Sequence, residues 1–174
     1  MRPGSASFQD LEVTEPVDAI VASTSLHHVE DLGPVLDKVA GLLRPDGTFV
    51  VLEWAWERFD ERTVRWCFDR LPAADDDHHN FLRAMHDQWP DSGLGWEMFC
   101  ATWANEPGHE MHRSDAILAA LDERFTCSLL LDAPYFFSHL AGTSEADELA
   151  AIQAKDIEAT GIRYIGRRAA ATSG

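Results

Sequence analysis

The sequence predicts an α/β fold built on a parallel sheet, in a single domain spanning residues 1–174. The first observation is a strand, helix, strand succession: an apolar run at Val17–Ser23, apolar residues at helical spacing over 32–43, and a second apolar run over 49–54. The second observation is the pair Pro45 and Gly47, which ends the helix and turns the chain. Such a crossover joins neighbouring parallel strands, so an α/β sheet follows.

The strand at Val17–Ser23 is almost entirely apolar, which is typical of a parallel strand buried on both faces. Asp31 precedes the following helix and is placed to cap its first turn. Helical spacing then returns in three segments: 64–71, 81–85 and 96–103. Breakers rich in proline, glycine or polar residues separate them: 72–77, 89–93 and 106–108.

The remainder of the chain continues the alternation of helices and strands. Ser114 is placed to cap the fourth helix after the second strand. Thr143 or Ser144 caps a further helix that extends to about residue 158, and Ser144 with Asp147 forms a loose capping box. Two further strands complete the pattern: 125–131 and 161–167.

The charge of the chain limits the partners it can have. The chain carries 14 Lys plus Arg against 30 Asp plus Glu, a formal net charge of -16. Such a surface repels phosphate backbones and anionic membranes. We therefore expect no nucleic acid and no membrane among its partners, and favour a small, neutral or cationic substrate.

The cysteines indicate the compartment. Cys67, Cys100 and Cys127 are odd in number, widely spaced and set among apolar residues, which favours buried thiols over a disulfide framework. No apolar run approaches the ~20 residues that cross a bilayer, and no signal-peptide stretch follows Met1. The expected location is the cytoplasm.

The segment from Asp10 to Trp54 resembles a known family. Its order is a strand with Asp18 near the start, a polar segment, a helix, the turn ending at Gly47, and a strand ending in Glu53 and Trp54. This resembles the second half of the cofactor-binding core of a class I S-adenosylmethionine-dependent methyltransferase. The resemblance implies an incomplete Rossmann-like sheet with flanking helices, a helical substrate-covering insertion over 57–112, and S-adenosylmethionine as cofactor.

The resemblance also implies which residues contact the cofactor. Asp10 and Leu11 correspond to the loop after the family's third strand, where an acidic side chain accepts a hydrogen bond from the adenine amino group. An ordinary surface aspartate is the alternative. Ser23, Thr24 and Ser25 follow the carboxyl end of a strand and would border the methionine end of the cofactor and its methyl group. A polar loop before a capped helix is the alternative there.

His27 and His28 are the candidates for chemistry, because only histidine has an unperturbed pKa near neutrality. Adjacent side chains point differently, so we predict that His28 faces the substrate and His27 packs. Methyl transfer can also proceed by positioning alone, without a base. Glu53 ends the next strand and either orients a substrate group or forms a salt bridge with a cation such as Arg58.

Aromatic residues are concentrated at the end of the second strand and in the predicted insertion. Helical spacing places most of them in the core, and the rest are available to line a pocket for an apolar or aromatic substrate. The group is Trp54, Trp56, Trp89, Trp96, Phe99 and Trp103. Metal-ligating residue types also occur over 75–79 and 109–112, but their spacing matches no known metal site, so we expect no metal.

The chain lacks the family's glycine-rich turn and the acidic residue that follows it. Two further strand and helix units would need on the order of 60 residues, more than precede Asp10. The strand at Val17–Ser23 is then expected to expose an apolar edge, which a homodimer or swapped arrangement would cover. Two functions remain: a methyltransferase for a small molecule, inactive if this chain acts alone, or a non-catalytic interaction protein that dimerises through the edge.

Overall fold

The computed structural model describes residues 15–73, 80–107 and 110–168. Within these ranges the chain is a mixed α/β structure with a four-stranded sheet and six α-helices. Their bounds, in chain order, are β1 (Val17–Ser23), α1 (Leu32–Leu42), β2 (Leu43–Trp54), α2 (Glu61–Phe68), α3 (Phe81–Ser92), α4 (Trp96–Ala104), α5 (Ser114–Asp122), β3 (Phe125–Ala133), α6 (Glu145–Gln153) and β4 (Gly161–Arg168).

The sheet has the strand order β1, β2, β4, β3. β1 and β2 are parallel, with Ile20 opposite Phe49 and Ser23 opposite Leu52, and β4 runs antiparallel to both β2 and β3. The predicted strand, helix, strand unit is therefore confirmed. β2 starts earlier than predicted, and Asp46 in its first residues has a φ of 64°, a left-handed conformation that its short polar side chain tolerates.

Helix α1 covers one face of the sheet. Asp31 caps it as predicted, since its side chain accepts a hydrogen bond of 2.9 Å from the Gly33 N–H. Together with α5, it buries a compact apolar layer against β2, β3 and β4. The fully buried members include Leu36, Leu43, Phe49, Leu121 and Tyr164.

The opposite face of the sheet is exposed. Val21, which lies opposite Val50, is 64% exposed, and Leu131 on β3 is 48% exposed. The prediction that β1 is buried on both faces is thus wrong for the residues described. The reason is that α1 and α5 contact only the face that carries Phe49.

A second core joins helices α2 to α4 to the end of β2 and to the short 3-10 helix Phe136–His139. Trp54 and Trp96 are almost fully buried there. The predicted break over 89–93 is only partly correct, because α3 continues through Pro90. The chain turns only at Gly93, whose φ of 68° is left-handed.

Two predicted helix ends also differ from the structure. Ser114 is the first residue of α5 rather than its cap, because its hydroxyl donates to the Glu57 carboxylate instead. Ser144 and Asp147 form the predicted capping box, but α6 ends at Gln153 rather than near 158. A left-handed φ of 63° at Lys155 stops the helix soon after its last turn.

Two of the three cysteines are buried and one is not. Cys67 and Cys100 lie in the helical core, where burial raises the pKa of Cys100 to about 12. Cys127 is exposed on β3, contrary to the prediction, because β3 is the outer strand of the described sheet and every residue between Phe125 and Ala133 is exposed. None of the helices within residues 15–73, 80–107 and 110–168 is long and apolar enough to cross a membrane.

Candidate active site

The carboxyl ends of β1 and β2 bring the predicted site residues together. The Thr24 N–H donates to the Leu52 carbonyl oxygen at 2.8 Å, and a left-handed φ of 49° at Thr24 then turns the chain out of the sheet. The short 3-10 helix Leu26–His28 follows immediately. Ser23 and Ser25 are exposed on either side of this turn.

Glu53 is the buried centre of this arrangement, with only 2% of its surface exposed. One carboxylate oxygen, Oε1, accepts hydrogen bonds from the Ser25 N–H at 2.8 Å and the Leu26 N–H at 2.6 Å. The other, Oε2, contacts Nδ1 of His27. Burial raises the pKa of Glu53, but the hydrogen bond and charge of His27 and the two backbone N–H groups lower it further, so the net pKa lies below its ordinary value.

The predicted ion pair between Glu53 and Arg58 is not formed. Arg58 forms an ion pair with Asp132 at 2.6 Å, not with Glu53. Arg58 lies in the 3-10 helix after β2 and is partly exposed, whereas the Glu53 side chain is directed into the protein. The partner that Glu53 does have, His27, follows the neighbouring strand β1.

The two histidines differ in burial although both line the same cavity. His27 is 3% exposed and His28 is exposed, and their ring centroids are 4.0 Å apart. The polypeptide around them is held by the loop before α5, since the His112 N–H donates to the His27 carbonyl oxygen at 2.9 Å. Because both rings line the cavity, the division of chemical roles between them stays a prediction.

The histidines open onto what we call the aromatic cavity, a space of about 270 Å³. Two stacked pairs form its walls: Trp54 with Tyr135, whose ring centroids are 5.6 Å apart, and Phe81 with Trp103, 6.0 Å apart. The complete lining is His27, His28, Trp54, Phe81, Trp103, Met111 and Tyr135.

The predicted aromatic group divides between core and cavity. Trp54 and Trp103 line the aromatic cavity, while Trp56, Trp96 and Phe99 are buried in the helical core. Trp89 is half-buried beside that core.

Sequence reasoning missed three cavity residues. Tyr135 could have been found, because it follows β3, whose end lies at the same edge of the sheet as the end of β2. Phe81 and Met111 carry no such signal, since their places depend on how α3 and the loop before α5 pack.

A second cavity of about 180 Å³ lies at the same edge of the sheet. Its lining includes Ser23, Thr24, Glu53, His139 and Arg163.

Asp10 and Leu11 lie outside the described residues, as do 75–79 and His109. No group of three or more His, Cys, Asp or Glu arranged to hold a metal occurs in the described part of the chain.

Comparison with known proteins agrees with the resemblance found in the sequence. Residues 4–51 match the family described as "Methyltransferase domain". The fold is that of a class I methyltransferase. Two solved structures show it: an S-adenosylmethionine-dependent methyltransferase from Mesorhizobium loti and a protein from Listeria monocytogenes assigned to the same class. No protein of curated function matches the sequence.

The degree of similarity to these methyltransferases is low. The Mesorhizobium protein is 16% identical with a TM-score of 0.50, over 94% of this chain and 67% of that one. The Listeria protein is 11% identical with a TM-score of 0.51, over 96% and 68%. The N-methyltransferase NodS from Bradyrhizobium japonicum, crystallised with S-adenosyl-L-homocysteine, is 14% identical with a TM-score of 0.46, over 96% and 54%. This chain thus spans about half the length of NodS. The cofactor of this methyltransferase class is S-adenosylmethionine, as the resemblance implied.

Proposed function

We propose that this chain forms the acceptor-binding part of an S-adenosylmethionine-dependent methyltransferase that acts on a small apolar or aromatic molecule. The observation that carries the proposal is the aromatic cavity, which lies at the carboxyl end of the sheet beside the His27 and Glu53 pair. Open α/β sheets bind their ligands at this edge. Aromatic walls give a planar apolar molecule a large contact area at little cost in conformational entropy.

The residues at the end of β1 fit the methionine end of the cofactor through their side chains. The backbone N–H groups of Thr24, Ser25 and Leu26 already donate within the chain, to Leu52 and Glu53. The hydroxyl groups of Ser23, Thr24 and Ser25 therefore supply the hydrogen bonds in this proposal. The cofactor, when bound, supplies a methyl group carried on a positively charged sulfur.

The contribution of the chain itself is positioning and exclusion of water. The rings of Trp54, Tyr135, Phe81 and Trp103 pack against one another along the lining and restrict the positions that the acceptor can take. Holding two reactants in line can account for a large part of a transfer barrier. In this proposal, helices α2 to α4, within 57–112, close the acceptor from solvent.

Two measurements test the proposal. The first is calorimetric titration with S-adenosylhomocysteine of this chain and of a chain extended upstream in the same reading frame. The second is transfer of a labelled methyl group to a panel of small aromatic acceptors. We expect Trp103→Leu to reduce transfer at least tenfold, since Trp103 lines the cavity.

Trp66→Leu is the matched control, because Trp66 is also half-buried but packs beside Arg70 outside the cavity. Equal losses in the two variants, or no binding of S-adenosylhomocysteine by either chain, contradict the proposal.

A second candidate function rests on the open sheet. If this chain does not bind the cofactor, we infer that it acts as an interaction protein and forms a homodimer through β1. Val21 is 64% exposed on this strand, and β1 is the outermost strand of the described sheet. Light scattering should then show a dimer that Val21→Lys dissociates. A monomer at all concentrations, in a folded wild-type chain, refutes the dimer.

A further inference from the structure

The lining of the aromatic cavity is specific enough to indicate the chemical class of the acceptor. We infer that the acceptor is an aromatic molecule with a hydroxyl group, that its oxygen is methylated, and that His27, positioned by Glu53, takes the hydroxyl proton. This inference rests on the proposed methyl transfer, and it adds the acceptor chemistry and the base.

Neutral His27 carries its ring proton on Nδ1. Glu53 is ionised, because its pKa is lowered, so its oxygens can only accept hydrogen bonds. The contact between Oε2 and Nδ1 of His27 therefore requires a proton on Nδ1. In the neutral ring this leaves the lone pair on Nε2. His27 lines the aromatic cavity, so Nε2 is the ring nitrogen left to accept a proton from a molecule bound there.

The Tyr135 hydroxyl cannot act as the base. Tyr135 also lines the cavity, and burial, with the nearby charge of Glu53, raises the pKa of its hydroxyl. Tyr135 therefore remains protonated at neutral pH. A hydroxyl that stays protonated can donate to a ligand oxygen but cannot remove its proton.

The lining of the aromatic cavity favours a neutral hydroxyl over an ammonium group as the acceptor. No carboxylate is among the residues that line the aromatic cavity, and the charge of Glu53 is already compensated by four donors. An ammonium group bound in this cavity would have no carboxylate partner, whereas a neutral hydroxyl needs none.

The reaction balances with these groups. The hydroxyl proton moves to Nε2 of His27, and Glu53 stabilises the imidazolium that results. An oxygen lone pair forms the bond to the methyl carbon as the bond from that carbon to the sulfonium sulfur breaks. The electron pair of the broken bond stays on sulfur and neutralises its charge. His27 then returns its proton to solvent.

Glu53→Gln is a sharp test because the two oxygens of Glu53 have different partners. Oε1 accepts from the Ser25 and Leu26 N–H groups, so the amide oxygen of glutamine takes that position. The amide nitrogen then faces Nδ1 of His27 and donates to it. The ring proton is thereby forced onto Nε2, and the base becomes a donor. Glu57→Gln is the matched control, since Glu57 bonds Ser114 outside the cavity lining.

The first measurement is nitrogen NMR of the histidine rings in the chain labelled with ¹⁵N. We expect the proton of neutral His27 on Nδ1 in the wild type and in Glu57→Gln, and on Nε2 in Glu53→Gln. A proton on Nε2 in the wild type overturns the inference, whether or not the variant folds.

The second measurement uses 4-nitrophenol, whose ionised form absorbs at longer wavelength than the neutral form. Binding is followed by quenching of tryptophan fluorescence, since Trp54 and Trp103 line the cavity. We expect the acid dissociation constant of the bound probe to be at least tenfold larger than that of the free probe. This difference should disappear in Glu53→Gln while quenching persists.

Three outcomes overturn the inference: no quenching, an equal shift in the wild type and Glu53→Gln, or tighter binding of benzylamine than of 4-nitrophenol. Neither measurement needs the cofactor. Their failure therefore leaves the methyl-transfer proposal standing, and failure of S-adenosylhomocysteine to bind does not alter the expected tautomer.

Discussion

Replacement of Glu53 by alanine should destabilise the fold more than replacement by glutamine. Alanine removes the acceptor of four donors: the backbone N–H groups of Ser25, Leu26 and Trp54, and Nδ1 of His27. Three of these hydrogen bonds are buried, and each unpaired buried donor costs about 1–3 kcal/mol. The expected loss is about 3–5 kcal/mol, the range typical of breaking a buried ion pair on one side.

Glutamine retains most of the hydrogen bonds. Its amide oxygen still accepts from Ser25 and Leu26, and its amide nitrogen donates to His27. The variant loses the additional strength that a charged acceptor gives these bonds, and the 3.3 Å hydrogen bond from the Trp54 N–H to Oε2. That loss is about 1–2 kcal/mol. Urea denaturation followed by tryptophan fluorescence measures both variants, and the urea dependence of the unfolding free energy should not change.

The pH dependence of the unfolding free energy provides a further check on the contribution of Glu53. The pKa of Glu53 is lowered from 4.5 in the folded chain, so the unfolded chain takes up the proton first as pH falls. The stabilisation by its charge is therefore complete above pH 4.5 and is lost as pH falls through the folded pKa. The difference in unfolding free energy between wild type and Glu53→Gln should narrow below pH 4.5. Equal losses in the alanine and glutamine variants, or a difference that widens in acid, would refute the reasoning.

Three further predictions follow from particular contacts. Gly161→Ala should cost about 1–3 kcal/mol in urea unfolding, because a Cβ at this position would lie 2.7 Å from the Ala133 carbonyl oxygen. Ser114→Ala should cost about 1–2 kcal/mol in the same assay, because it removes the hydroxyl that donates to the Glu57 carboxylate. In the native protein only Cys127 should react rapidly with a thiol reagent, as mass spectrometry would show, because the other two thiols are buried.

Each of these three predictions has a control variant or a result that would contradict it. Gly41→Ala should cause no loss, because a Cβ at this helical position meets nothing within 4 Å. If Gly161→Ala is as well tolerated as Gly41→Ala, the strands approach less closely than described. A Ser114→Ala variant as stable as wild type would show that water replaces the hydroxyl. Rapid labelling of Cys67 in the folded chain would contradict its burial.

The sequence could predict whatever depends on neighbours along the chain. Apolar spacing located the strands and helices, because a helix or strand shows its buried face at a regular interval. Asp31 and the capping box of Ser144 were predictable for the same reason, since a cap bonds N–H groups two or three residues away. Lys155, which ends α6 early, was not predictable, because its left-handed φ follows no residue preference.

The sequence by itself thus determined the order of the elements and named His27, His28 and Glu53 as candidates. Only the tertiary structure decided that Glu53 bonds His27, 26 residues away, rather than the nearby Arg58. It also decided that Tyr135 joins Trp54 in a cavity wall and that one sheet face stays open in the described residues. The physical reason is that local patterns specify which faces are apolar, whereas the partner of each face depends on packing between distant segments.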